Sequence, residues 1–129
     1  MKSIFSFILS CFIFNLISLS TNAQTQLHMY RIAKIKVDSN QLVQYTIALK
    51  EQMNTAVKQE PGVLSYTVVA DKKDASDITI LEVYASPEAY QSHIQTPHFK
   101  KYKETVKDMV LSLLLIDTEL VAREHKSNY

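Results

Sequence analysis

Between Leu27 and Arg123 the spacing of apolar residues switches between a repeat of two and a repeat of three to four, in an order that few folds accommodate. Met29, Ala33, Ile35 and Val37 share one parity and His28, Tyr30, Lys34 and Lys36 the other, the pattern of a half-buried strand that Arg31 and Ile32 interrupt. Asp38 and Ser39 then offer N-cap oxygens, and Leu42, Tyr45, Thr46, Leu49, Met53, Ala56 and Val57 follow largely at helical spacing. Pro61 disfavours helical geometry at Glu60 and Gly62 tolerates unusual backbone angles, so this helix is expected to stop before them. Residues 63–69 and 78–84 are rich in β-branched and aromatic side chains, and the polar run 71–77 between them makes a hairpin the simplest reading.

Ser86-Pro87-Glu88 carries the grammar of a helix start: a capping hydroxyl, Pro at the first helical position and an acid near the positive end of the dipole. Thr96-Pro97 repeats it ten residues on. A short helix therefore gives way to a second, with Phe99, Tyr102, Val106, Met109, Val110 and Leu113 as its apolar stripe. Residues 114–123 read as a fourth strand. The order β-α-β-β-α-β is the ferredoxin-like α+β arrangement, with helices on one face of an antiparallel sheet. Apolar residues on both parities of the strands imply that the second face is buried too, most economically in a homodimer whose sheets pack together.

The first 23 residues are read apart from this unit. Residues 4–19 hold twelve apolar side chains, four of the five Phe and the only Cys, with Lys2 before them and Ala23 at a suitable cleavage position. That is the pattern of a signal peptide over 1–23, ahead of a single domain over 24–129. The run is shorter than the ~20 apolar residues needed to span a bilayer and is broken by Ser6, Ser10, Asn15 and Ser18. Cys11 lies too early for a lipid-modified mature end. A periplasmic or secreted product with no membrane span in its mature form is expected. Removing Lys2 leaves 13 basic and 13 acidic residues, a neutral balance without the basic stripe of a nucleic-acid binder. The chain after residue 23 has no Cys, which excludes disulfides and thiolate chemistry, and Gly62 as the sole Gly excludes Gly-rich phosphate loops.

Glu60-Pro61-Gly62-Val63-Leu64-Ser65-Tyr66, Leu81-Glu82-Val83-Tyr84, Ser86-Pro87-Glu88-Ala89-Tyr90 with His93, and Thr96-Pro97-His98-Phe99 together resemble the antibiotic biosynthesis monooxygenase domain, a group that includes small quinol monooxygenases. The resemblance spans about residues 27–123. It implies a dimeric α/β barrel with a pocket between sheet and helices, and often cofactor-independent oxygenation of an electron-rich phenol or quinol. The group also contains heme-degrading enzymes and proteins of other chemistry, so it fixes the fold better than the reaction.

Oxygenation without a cofactor requires a substrate that itself donates electrons to dioxygen, so the protein must help remove a phenolic proton. A neutral imidazole suits that task. His93 and His98, both inside the matching stretch, are the candidate catalytic residues, with edge packing or capping as their structural alternatives. Glu82 shares its parity with Ile78, Ile80 and Tyr84, an apolar face on which a carboxylate needs a partner; it would orient a His, accept a proton or form an ion pair. Tyr66 and Tyr84 are candidates to bind a quinone oxygen, although strand tyrosines also serve as core. The four His show no close ligand pair, so spacing supports no metal, and no cofactor is expected. The cluster Lys100, Lys101, Lys103 and Lys107 reads as a solvated helix face.

Three functions compete: an exported monooxygenase acting on a small aromatic quinol or polyphenol, a noncatalytic exported module that binds a small molecule or protein, and a heme-degrading enzyme. Heme-degrading relatives use a Trp; this chain has none, and Tyr84 stands at the matching place.

Overall fold

The computed structural model describes residues 27–127, so the expected signal peptide lies outside the described residues. Four strands and three helices follow in the order β1 (Met29–Val37), α1 (Leu42–Gln59), β2 (Val63–Ala70), β3 (Asp77–Tyr84), α2 (Pro87–His93), α3 (Pro97–Val106) and β4 (Val110–Thr118), with one 3-10 turn at Ser39–Gln41. All pairings are antiparallel, in the spatial order β2-β3-β1-β4. This is the expected ferredoxin-like α+β topology. No described helix is long and apolar enough to cross a membrane.

The core forms where the inner sheet face meets the helices. Ala33, Ile35 and Val37 of β1 and Ile78 and Ile80 of β3 pack with Tyr45 and Leu49 of α1 and Val106 of α3. A second cluster joins Ala56, Val63 and Tyr84 under Ala89 and Tyr90 of α2. Burying the Val, Leu and Ile side chains among these contributes roughly 1.5–3 kcal/mol each, which anchors the helices and fixes what their polar neighbours face. The helix starts behave as expected: the Ser86 hydroxyl accepts from the Ala89 amide at 3.2 Å, and that of Thr96 from the Phe99 amide at 3.3 Å.

Four local features differ from the sequence expectation. First, the alternation of β1 is not broken at Arg31: it stays on the inner face, beside Glu82 on β3 and Asp117 on β4. Second, β4 begins at Val110 and ends at Thr118, not at 114 and 123. The chain turns after Val106, where the Met109 amide donates to the Val106 carbonyl at 2.9 Å and the Met109 carbonyl accepts from Asp38 at 2.8 Å, so Val110 and Leu113 leave the helix stripe for the sheet. Pairing ends where Thr118 meets Tyr30, one residue short of the start of β1.

Third, Gly62 has no positive φ. Its requirement is space, because a Cβ there would lie 2.6 Å from the Ala89 Cβ. Fourth, β2 carries a bulge: Val63 pairs with Tyr84 and Ser65 with Val83, leaving Leu64 as an extra residue. Val63 and Tyr66, of opposite parity, therefore both face inward.

Candidate functional site

A cavity of about 360 Å³ lies between the inner sheet face and the helices. Leu49, Ile80, Phe99, Leu113 and Leu115 supply much of its apolar wall, while Arg31, Gln52, Tyr66, Glu82, Tyr84 and His93 bring polar groups to it. A larger groove of about 830 Å³ runs past the start of β1 and carries fewer buried titratable groups. Arg31 and Tyr90 line both spaces. The Arg31 guanidinium lies 4.1 Å from the Tyr90 ring centroid and donates to Asp117 Oδ1 from Nε at 2.9 Å and Nη2 at 2.7 Å, so it stands as a held partition between them.

His93 closes α2 and is 1% exposed. Its Nδ1 lies 2.9 Å from Glu60 Oε1, and its Nε2 lies 3.1 Å from the Tyr66 hydroxyl and 3.3 Å from Gln52 Nε2. The Phe99 ring meets it edge-on at 4.7 Å. The Tyr66 hydroxyl is in turn 3.2 Å from that of Tyr84, which is 3.0 Å from Glu82 Oε2. His93, Tyr66, Tyr84 and Glu82 thus line one cavity.

His98 does not. It faces a separate recess with Glu51, Thr55 and Lys101, and meets the network at Glu60 Oε1, 2.6 Å from its Nε2, and through Thr96, whose hydroxyl lies 3.2 Å from that nitrogen and donates to the His93 carbonyl at 2.7 Å. The two histidines are therefore unequal: one backs the cavity and the other holds the shared carboxylate from outside. His93 also differs from a freely accessible base, since both ring nitrogens already have protein partners.

Burial sets the protonation tendencies. It pushes His93 below the ordinary imidazole range, against the opposing pull of Glu60. It raises Glu82 above the usual carboxylate range, although the Tyr84 hydroxyl and the Arg31 charge oppose it. Burial likewise lifts the Tyr66 and Tyr84 phenols. Among the described residues no ion pair to Glu82 forms, because the Arg31 guanidinium is turned to Asp117. Among the described residues Glu82 Oε1 has no hydrogen-bond partner, yet no buried side-chain oxygen there is left unpaired, so this atom opens on the cavity.

Glu60, Gln52 and Arg31 had no assigned role in the sequence reading. Gln52 was detectable as a polar residue within the buried α1 stripe, three positions after Leu49 and four before Ala56. Glu60 closes the helix just ahead of Pro61, and nothing local reveals that it meets residues 33 and 38 positions away.

Sequence spacing also missed that Glu60, His93 and His98 bring three ligand-type atoms within 4.8 Å of one another, a set able to approach a metal ion. Two atoms about 2.0–2.1 Å from one ion at right angles stand about 2.9 Å apart. The 2.6 Å between His98 and Glu60 is instead a charge-assisted hydrogen-bond distance, so the group reads as one carboxylate holding two imidazoles.

Comparison with known proteins agrees with this architecture. The sequence profile described as antibiotic biosynthesis monooxygenase matches residues 29–105. A solved structure of a candidate antibiotic biosynthesis monooxygenase from Bacteroides thetaiotaomicron is 45% identical and superposes with a TM-score of 0.74, covering 78% of this chain and 95% of that one. A candidate monooxygenase from Lactobacillus acidophilus is 30% identical with a TM-score of 0.68, over 70% of this chain and 43% of that one. A Synechocystis protein described only as uncharacterized is 30% identical over 64 residues; the match spans 50% of this chain and 44% of that protein.

Proposed function

Because the chain belongs to the antibiotic biosynthesis monooxygenase family, we propose that it is an exported, cofactor-independent monooxygenase of a small quinol or related phenol. The observation that carries this reading is the meeting of Glu82, Tyr84, Tyr66 and His93 at a single cavity with apolar walls. A cavity of about 150 Å³ suffices for benzene, so the space here takes a substituted aromatic molecule. Its open carboxyl oxygen belongs to Glu82, which makes that side chain, with Tyr84 beside it, the group that meets a phenolic hydroxyl.

Deprotonation converts the phenol into the phenolate, a far better electron donor. One oxygen atom then enters the ring and the other leaves as water: a quinol and dioxygen give a hydroxyquinone and water, with all four electrons drawn from the substrate. The protein's part is to hold the ring, take the proton and keep water from the anion. The same reading takes the active form to be a homodimer whose exposed sheet faces, bearing Val69, Leu81 and Leu114 at 58%, 36% and 56% exposure, cover one another.

Oxygen uptake with a panel of hydroquinones, matched mole for mole to the hydroxylated product, tests the activity. Glu82→Gln and Tyr84→Phe are each expected to lower kcat about 100-fold or more, the usual reach of a positioned acid or base. Ligand-raised Tm without oxygen uptake from any quinol identifies a noncatalytic binding module instead. His93 favours attention to that second reading, because both its nitrogens are sealed by protein partners.

A further inference from the structure

The hydrogen bonds joining Glu82, Tyr84, Tyr66, His93 and Glu60 form one unbranched line, and its proton count is restrictive. Each contact needs one hydrogen, and each tyrosine owns one. With Glu60 ionised, only two arrangements satisfy the whole line. In the first, Glu82 is a carboxylic acid whose Oε2–H donates to Tyr84; Tyr84 donates to Tyr66, Tyr66 to His93 Nε2, and His93 Nδ1–H to Glu60. In the second, every bond between Glu82 and His93 is reversed: Glu82 is a carboxylate and His93 an imidazolium. The two differ by the passage of one proton along the line, with no change in total charge.

Gln52 is compatible with the first as the resting state, since its Nε2 at 3.3 Å then shares the lone pair of an unprotonated His93 Nε2 with the Tyr66 hydroxyl at 3.1 Å. The burial that raises Glu82 and lowers His93 points the same way. The cavity end of the line is Glu82 Oε1, which is unbonded; the far end is Glu60, whose Oε1 is also held by His98.

We propose that Glu82, Tyr84, Tyr66 and His93 constitute a proton relay, in which a phenolic ligand delivers its proton to Glu82 Oε1 as Glu82 passes its own from Oε2 down the line to His93. The step balances. The ligand O–H breaks and Glu82 Oε1–H forms; Oε2–H breaks as Tyr84 gains a proton and gives its own to Tyr66; Tyr66 gives its own to His93 Nε2. Gln52 gives up its contact with that nitrogen. The products are a phenolate in the cavity and an imidazolium 2.9 Å from the Glu60 carboxylate. Glu82 is the residue that touches the ligand, while His93 acts through the tyrosines and Glu60 positions and neutralises it.

This inference deepens the proposed function, but its test does not need turnover. The probe is 4-nitrophenol, which resists oxidation and whose neutral and ionised forms absorb at different wavelengths. In the ligand-free protein at neutral pH we expect an infrared carboxylic-acid band that disappears in Glu82→Gln, and ¹⁵N shifts of His93 typical of a neutral ring protonated at Nδ1. On binding, the probe is expected to absorb as phenolate while both His93 nitrogens move to imidazolium values. Tyr66→Phe should still bind the probe with His93 remaining neutral. A missing acid band, a band that survives in Glu82→Gln, or a His93 that stays neutral as phenolate forms in the unaltered protein overturns the relay. The band and the ring tautomer decide the matter in the unaltered protein if Tyr66→Phe does not fold or the probe does not bind. Failure of every quinol to consume oxygen, with these spectra intact, rejects the activity and leaves the relay standing.

Discussion

Glu82 and His93 respond to burial in opposite directions, and together they shape the pH dependence of stability. The folded protein raises Glu82 above its ordinary value of 4.5, so between that value and the raised one it holds a proton that the unfolded chain releases. The stability linked to that proton is complete below the ordinary value and is lost as pH rises through the raised one. His93 is lowered from 6.5, so its contribution is present above 6.5 and is lost as pH falls through the depressed value. Urea midpoints measured against pH should therefore carry a decline as pH rises above 4.5 that Glu82→Gln abolishes, while the decline from His93 as pH falls below 6.5 persists in that variant. An unchanged slope above pH 4.5 in Glu82→Gln would show that Glu82 is not a buried acid. At this scale the chemistry was legible: a carboxylate among Ile78, Ile80 and Tyr84 announces its cost in the strand pattern. Glu60 was not, because its two imidazoles arrive from α2 and α3 through tertiary packing.

The elements decide which of these side chains meet. Without the extra residue Leu64, the inward placement of Val63 would carry Ser65, Thr67 and Val69 to the cavity and turn Tyr66 away. A hydrophobic strand pattern does not disclose such a bulge, since Val, Tyr and Thr suit either face. The Leu-rich run after Met109 was ambiguous for a related reason: residues 109, 110 and 113 fit a helical stripe, whereas 113 and 115 fit a strand. Strand pairing with β1 settles that ambiguity. The caps at Ser86 and Thr96 were readable because capping is local chemistry. Gly62 was noticed for the wrong property, since closeness to α2 rather than backbone freedom constrains it. Gly62→Ala should thus push on Ala89 and cost about 1–3 kcal/mol, the usual penalty of overpacking, seen as a lower urea midpoint. A parallel Ala89→Gly change that restores the midpoint would locate the strain; no recovery would place it elsewhere.

For the molecule as a whole, the inner face has its helices while the outer face leaves Leu81 and Leu114 open to solvent. Leu81→Lys combined with Leu114→Glu is expected to convert a dimer into a monomer in sedimentation velocity, with helix content unchanged by circular dichroism. A monomeric unaltered protein would dismiss the paired-sheet assembly. The exposed loop at residues 71–75 divides the same molecule in another sense. Gln52, Glu60 and Tyr66 precede it; Glu82, Tyr84, His93 and His98 follow. Passing from His98 to Glu60, His93, Tyr66 and Tyr84, every contact crosses from one side of that loop to the other. Neither segment owns a working fragment of the network, so a chain cut in the hairpin would act as a two-part lock: inert apart, and competent only to the extent that the halves reassociate.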